Sequence, residues 1–190
     1  MSLDASALKG SDVLIEFTSP EATIEHLKAC SEYGVNMVIG TTGLTKAQIA
    51  QIKRASSKIA VVFSSNMSVG VNLVFSLIRQ AAQVTGKNYA IRLAETHHVH
   101  KKDAPSGTAK TMAEIAEQYS KTKVKDIQSL REGEVIGDHT ISFESDVDVI
   151  SIFHHAKTRD IFAEGSLVAA KFLAGKKKGL FNMQDVLGLK

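Results

Sequence analysis

Sulfur chemistry has almost no foothold in this sequence: Cys30 is the single cysteine among 190 residues, so no internal disulfide can form. Cys30 sits within a helical pattern, where a small buried hydrophobe is the expected role and a reactive thiol is not. That makes the cytoplasm the expected compartment. An excess of one charge is missing too, because 23 Lys and Arg offset 20 Asp and Glu, leaving a formal +3 spread along the chain. Nucleic acid is therefore not expected as a partner, and any positive field must be local. No uninterrupted apolar run approaches membrane-spanning length, and the opening MSLDASALKGSD has neither the basic end nor the apolar middle of a signal peptide. Neither a membrane partner nor export is expected. What is present, 44% hydrophobic and 23% charged residues, suits one or two ordinary globular domains.

The first third reads as strand, helix, strand, helix, strand: Val13 to Phe17, Pro20 to Tyr33, Asn36 to Ile39, Lys46 to Ser56 and Ile59 to Phe63. Short Val/Ile/Phe strands alternating with helices indicate a parallel sheet. Ser19 is a fitting N-cap ahead of Pro20, Gly34 can close the helix in a left-handed conformation, and Thr45 with Gln48 forms a capping box. A parallel sheet gathers its strand carboxyl ends on one edge, where open α/β sheets bind ligands. Three polar segments fall there: Phe17-Thr18-Ser19, Gly40-Thr41-Thr42-Gly43 and Ser64-Ser65-Asn66-Met67. Each alone is an ordinary turn; together they favour a site.

After Ser68 the pattern changes. Val71, Val74, Leu77, Ile78, Ala81 and Ala82 form an apolar helical face ending near Gly86. A strand follows from Ala90 to Thr96, then a helix from Thr108 to Tyr119, extended stretches at Ile127 to Leu130, His139 to Glu144 and Val149 to His154, and a helix from Ile161 to Leu173. The mixture without strict alternation suggests an α+β unit with a mixed or antiparallel sheet. The expected division is 1–67, 68–175 and a C-terminal segment, 176–190, returning to the first domain.

The densest cluster of functional side chains runs from Glu95 to Thr108 and holds three of the seven histidines, His97, His98 and His100, beside Lys101 and Lys102. It lies between a strand and a helix start, where free N–H groups and the helix dipole favour an anion such as a carboxylate. Three readings compete for the histidines: structural roles, a metal site with His154 and His155, and general acid catalysis near an anionic substrate. Cysteine pairs and H-E-x-x-H spacing are missing and the lysines oppose a cation, so metal is the poorer match. A histidine acid beside a bound anion is preferred.

The run E-T-H-H-V-H-K-K-D-A-P-S-G-T-A, Glu95 to Ala109, resembles the dihydrodipicolinate reductase signature E-x-H-H-x-x-K-x-D-x-P-S-G-T-A. Further matches are D-V-L-I-E-F-T-S-P-E from Asp12, G-T-T-G from Gly40, N-M-S-V-G-V-N from Asn66, R-E-G from Arg131 and G-L-F-N-M-Q-D-V-L from Gly179, so the resemblance spans nearly the whole chain. It implies a partial Rossmann-like domain followed by a substrate-binding and tetramerisation domain. The implied activity is NADH- or NADPH-dependent reduction of dihydrodipicolinate to tetrahydrodipicolinate, in lysine and diaminopimelate synthesis. By position it implies His97 as general acid, Lys101 as second catalytic residue and substrate contact, and His98, Gly107 and Thr108 as contacts to the substrate dicarboxylate. On the nucleotide side it implies Phe17, Thr18, Gly40, Thr42, Ser64, Ser65, Asn66, Met67 and Arg159, with no metal.

Two departures from the family pattern stand out. No strand with a G-x-x-G-x-M-G loop precedes Val13, so the expectation for this chain is impaired cofactor binding; the alternative reading is a non-catalytic remnant that binds dicarboxylate and oligomerises. The stretch after Arg131-Glu-Gly133 is also short, as in compact family members.

Overall fold

The computed structural model describes residues 8–189. In chain order the elements are β1 (Val13–Glu16), α1 (Pro20–Tyr33), β2 (Asn36–Ile39), α2 (Lys46–Ala55), β3 (Ala60–Phe63), α3 (Val69–Thr85), β4 (Ala90–His97), α4 (Gly107–Ser120), β5 (Val124–Arg131), β6 (Asp138–Glu144), β7 (Val149–His155), α5 (Asp160–Leu173), β8 (Gly179–Phe181) and α6 (Met183–Val186). The fold is α/β and divides into two compact units. One joins the chain up to Ser68 with the stretch from Phe162 onward; the other is Val69–Ile161.

The first unit is built on a four-stranded parallel sheet in the order β1-β2-β3-β8. Its helices start and stop where local chemistry dictates. The Ser19 hydroxyl accepts the Ala22 N–H at 3.3 Å, Pro20 occupies the first turn, and Gly34, at φ 71°, returns its N–H to the Cys30 carbonyl. Thr45 and Gln48 close the capping box of α2 reciprocally. Alternate strand residues face opposite sides. Met37, Ile39 and Val61 pack with Leu27, Cys30 and Ile52, while Val38, Ala60 and Val62 pack with Ala169, Leu173 and Met183. Burial raises the Cys30 thiol to about 11, with Glu16 adding to the effect, so the thiol is inert.

The chain re-enters this unit at Phe162, ahead of the boundary expected at 175. Helix α5 buries Ala169 and Leu173 against the sheet, and bare Gly165 permits the approach, since a Cβ there would lie 1.8 Å from the Met67 carbonyl oxygen. Asn36 holds the end of the helix, its amide donating to the carbonyls of Leu173 at 3.3 Å and Lys176 at 3.0 Å while its oxygen accepts the Ala60 N–H. Strand β8 and helix α6 have no counterpart in the sequence reading, because three and four residues are too few to show a period.

The second unit carries a mixed sheet in the order β5-β4-β6-β7, with β4 parallel to β5 and antiparallel to β6, and β6 antiparallel to β7. One face is apolar. Ile91, Leu93, Ile141 and Phe143 meet Val74, Ile78, Ala82 of α3 and Met112, Ala113, Ala116 of α4. Leu130, Val149 and Phe153, on the other face, are exposed. Among the described residues no helix is long and apolar enough to cross a membrane.

Candidate active site

The alternation of β4 that buries Ile91 and Leu93 carries on to Glu95 and His97, so the apolar face of the sheet ends in polar side chains. Glu95 is only 1% exposed, and an ion at that depth needs partners. Parallel pairing of β4 with β5 supplies the first, because Arg131 lies opposite His97 in register. Its guanidinium grips the Glu95 carboxylate with two bonds, 3.1 and 3.2 Å. The Ser106 N–H adds a third at 3.3 Å, and His97 Nδ1 binds Glu95 Oε2. Burial alone would raise the Glu95 carboxyl, but Arg131 first and His97 after it hold it below the usual carboxylate range.

With Nδ1 committed to Glu95, the free edge of the His97 ring is Nε2. Burial lowers the His97 pKa from its ordinary value, Glu95 opposes the shift, and Lys101 and Arg131 reinforce it. A Cβ at Gly137 would stand 3.1 Å from Nε2, so the missing side chain keeps that nitrogen uncrowded. His139, opposite Glu95 across the β4/β6 pairing, lies edge-on to His97 with ring centroids 5.0 Å apart.

The loop from His98 to Pro105 is tied to the same pair. Arg131 also donates to the carbonyls of Lys101 at 3.3 Å and Asp103 at 2.5 Å. The ammonium of Lys101 rests on Asp103 at 2.8 Å. His98 accepts from Arg159 at 3.1 Å on Nε2. His100 is exposed and lies 3.4 Å from Glu134. Ser106 caps α4 by accepting the Ala109 N–H at 3.2 Å, which places exposed Gly107 and half-buried Thr108 in the first turn. His97, His98, Lys101, Arg159 and the start of α4 thus belong to one unit. Arg159, expected on the nucleotide side, is found on His98. Among the described residues no group of three or more His, Cys, Asp or Glu side chains is arranged to hold a metal ion.

In the first unit hydrogen bonds link two of the three carboxyl-edge segments. The Thr18 N–H and the Thr23 hydroxyl both donate to Thr41 Oγ1, at 3.1 and 2.9 Å. The Thr18 hydroxyl binds Glu16, a buried carboxylate that also holds His26. Phe17 is 48% exposed and its ring covers Gly40, where a Cβ would fall 2.2 Å from a ring carbon. Thr42 and Ser65 are exposed, while Ser64 turns back to the Asn66 carbonyl at 3.0 Å and Asn66 Oδ1 accepts the Ser68 N–H at 2.8 Å. The Met67 side chain is a core residue, leaving only its backbone near the edge.

Sequence reasoning missed Arg131 and His139 as parts of the histidine site and gave Glu95 no role. It also missed the Glu16–His26 pair. A buried-face position for an ionisable residue was the only signal available for Glu95 and Glu16, and each needs a partner that lies elsewhere in the chain.

The family description "Dihydrodipicolinate reductase, N-terminus" matches residues 2–67, and "Dihydrodipicolinate reductase, C-terminus" matches residues 70–187. The chain is 44% identical over 205 aligned residues to 4-hydroxy-tetrahydrodipicolinate reductase of Anaeromyxobacter dehalogenans strain 2CP-1, covering 98% of this chain and 76% of that protein. It is 45% identical over 204 residues to the Chromobacterium violaceum enzyme of the same name, covering 97% and 76%. Among solved structures, dipicolinate-bound dihydrodipicolinate reductase from Paenisporosarcina sp. TG-14 superposes with a TM-score of 0.77 at 23% identity, over 96% of this chain and 77% of that one.

Proposed function

The chain belongs to the dihydrodipicolinate reductase family, oxidoreductases by name, and on that premise we propose that it reduces dihydrodipicolinate to tetrahydrodipicolinate with NADH or NADPH. The product is an intermediate of lysine and diaminopimelate synthesis, and the expected compartment is the cytoplasm. The observation that carries the reading is His97, bound through Nδ1 to a buried, Arg131-paired carboxylate and open at Nε2, in the same unit as Lys101, His98 and the start of α4.

Each part has a task that its chemistry fits. A dicarboxylate needs cations and N–H groups; Lys101, His98 backed by Arg159, and the Gly107-Thr108 turn offer them. Exchange of Asp103 for a substrate carboxylate on Lys101 keeps that ammonium paired throughout. Phe17 offers half-exposed aromatic surface, and Thr18, Gly40, Thr42 and the Ser64 to Met67 backbone offer polar groups, a set that suits a nicotinamide ring and its amide. The nicotinamide cofactor, when bound, supplies the hydride. Hydride addition to a conjugated imine leaves an electron pair on the substrate, and His97 Nε2 delivers the proton that quenches it. Glu95 keeps the His97 ring in one orientation and stabilises its charged form while it holds that proton. Assembly as a homotetramer would cover the open sheet face of Leu130, Val149 and Phe153.

Pyridine-2,6-dicarboxylate, a planar mimic of the substrate, should bind in calorimetric titration. Lys101→Ala should weaken it about ten-fold or more, since charge-assisted hydrogen bonds contribute roughly 1.5–3 kcal/mol each. Equal affinity in the two proteins removes Lys101 from the site. Binding of the dicarboxylate without oxidation of NADH or NADPH in the presence of substrate would replace turnover with the binding-and-assembly reading.

A further inference from the structure

The row Glu95, His139, His154 crosses β4, β6 and β7 in register on one face of the mixed sheet. His139 is 5% exposed and has no role in the mechanism described above. Its Nε2 lies 3.1 Å from the Ser106 hydroxyl. That oxygen already accepts the Ala109 N–H, so its hydrogen is available to the imidazole. Burial pushes the His139 ring down to about 4, leaving it neutral at physiological pH. A neutral ring that accepts at Nε2 carries its one proton on Nδ1. His139 Nδ1 is buried and has no hydrogen-bond partner.

His98 repeats the arrangement. Arg159, which can only donate, occupies its Nε2 and forces the proton onto Nδ1, and that atom too is buried without a partner. Buried donors left without acceptors are costly and rare, and call for a ligand or an ordered water. Both belong to the unit that holds His97, and His139 touches the His97 ring edge-on. The backbone at Gly137 borders both rings, since a Cβ there would sit 3.1 Å from His97 Nε2 and 3.6 Å from His139 Cε1.

We propose that His139 is a further substrate-binding residue, which offers its Nδ1–H as a fixed, uncharged hydrogen-bond donor to a carboxylate of the dicarboxylate held beside His97. The inference rests on the dicarboxylate reading given under Proposed function. Ser106 gains a double task from it. It caps α4 and, with the same hydroxyl, selects the tautomer of His139, linking the helix start to the imidazole. A neutral donor can bind a carboxylate without adding to the positive charge around the acid, whose pKa Lys101 and Arg131 already lower.

Long-range proton–nitrogen spectra of protein carrying nitrogen-15 histidine test it. His139 should show the Nδ1–H tautomer in the free protein, and that proton should move downfield as pyridine-2,6-dicarboxylate saturates the site. His139→Phe should weaken the dicarboxylate about ten-fold or more. His139→Asn, whose amide nitrogen falls close to the position of Nδ1, should recover part of the loss. A proton unmoved at saturation, or a Phe variant that binds like wild type, overturns the proposal. So does a proton that responds to His154→Phe but not to the ligand, which would place it on a water shared with the neighbouring strand. Failure of the wild-type protein to bind dicarboxylate at all is a separate result, seen before any variant is made, and refutes the underlying reading.

Discussion

Replacing Arg131 by Met keeps the side-chain stem and removes both bonds to Glu95, at 3.1 and 3.2 Å, along with the donors to the Lys101 and Asp103 carbonyls. Breaking a buried ion pair from one side costs about 3–5 kcal/mol, because the remaining charge is stranded. Glu95 keeps His97 and the Ser106 N–H, which places the expected loss near the lower end, about 3 kcal/mol at pH 7. The pH dependence has a definite sign. In the wild type the folded Glu95 pKa lies below its ordinary 4.5, so its contribution is fully present above that value and is lost as pH falls through the folded pKa. Without the guanidinium, burial should carry the folded pKa above 4.5. Glu95 then destabilises the variant at neutral pH, and protonation relieves the penalty as pH falls. The gap between variant and wild type should therefore shrink from pH 7 to pH 5. Adding Glu95→Gln to Arg131→Met removes the stranded charge and should recover at least half the loss. Urea unfolding followed by far-ultraviolet circular dichroism, at one protein concentration, reads all four proteins of the cycle. An Arg131→Met variant within about 1 kcal/mol of wild type at pH 7, or a gap unchanged at pH 5, would refute the reasoning.

Further outcomes follow from the same site. His97→Gln should lower kcat about 10²–10⁴-fold while dicarboxylate affinity changes far less, because a general acid acts chiefly in the transition state; a raised KM at unchanged kcat reassigns it to binding. Gly137→Ala should depress turnover with little effect on folding, since the added methyl meets His97 Nε2 at 3.1 Å; kinetics matching wild type would show that Nε2 does not need that space. The His97 pKa is lowered in the free protein, and a bound dianion should raise it, so binding should take up a proton at pH values between the two. Affinity should then tighten as pH falls through that window. Calorimetry in buffers of different ionisation enthalpy measures the uptake, and identical heats in all of them exclude it.

Elements with local signals were legible in the sequence. Pro20–Tyr33 and Asn36–Ile39 have the bounds that Ser19, Pro20 and Gly34 announce, because caps and turn residues act within a few positions. His97, His98, Lys101 and Ser106 to Thr108 could be seen as a cluster because they lie within one short stretch of sequence. Arg131 and His139 could not, since the registers of β4 with β5 and with β6 bring them to Glu95, and register is a tertiary property. The allegiance of α5 was hidden for a similar reason. Its apolar face showed that it must pack, and only Gly165, Asn36 and the sheet residues Val38 and Val62 determine where.

The return of α5, β8 and α6 to the first unit sets an order of events during synthesis. Strand β3 can form its β8 pairing, Ala60 with Gly179 through Val62 with Phe181, only after the chain as far as Phe181 has left the ribosome. The unit Val69–Ile161 is continuous, and every strand of its sheet is available sooner. Domains tend to fold as units while the chain emerges, and pairings distant in sequence form slowly. The segment translated second can therefore reach its native packing first, while the apolar side of the parallel sheet formed by Val38, Ala60 and Val62 waits uncovered for Ala169 and Leu173. Nascent chains halted near Ile161 should expose that surface to chaperones, and chains long enough for Phe181 to have cleared the ribosome should release them.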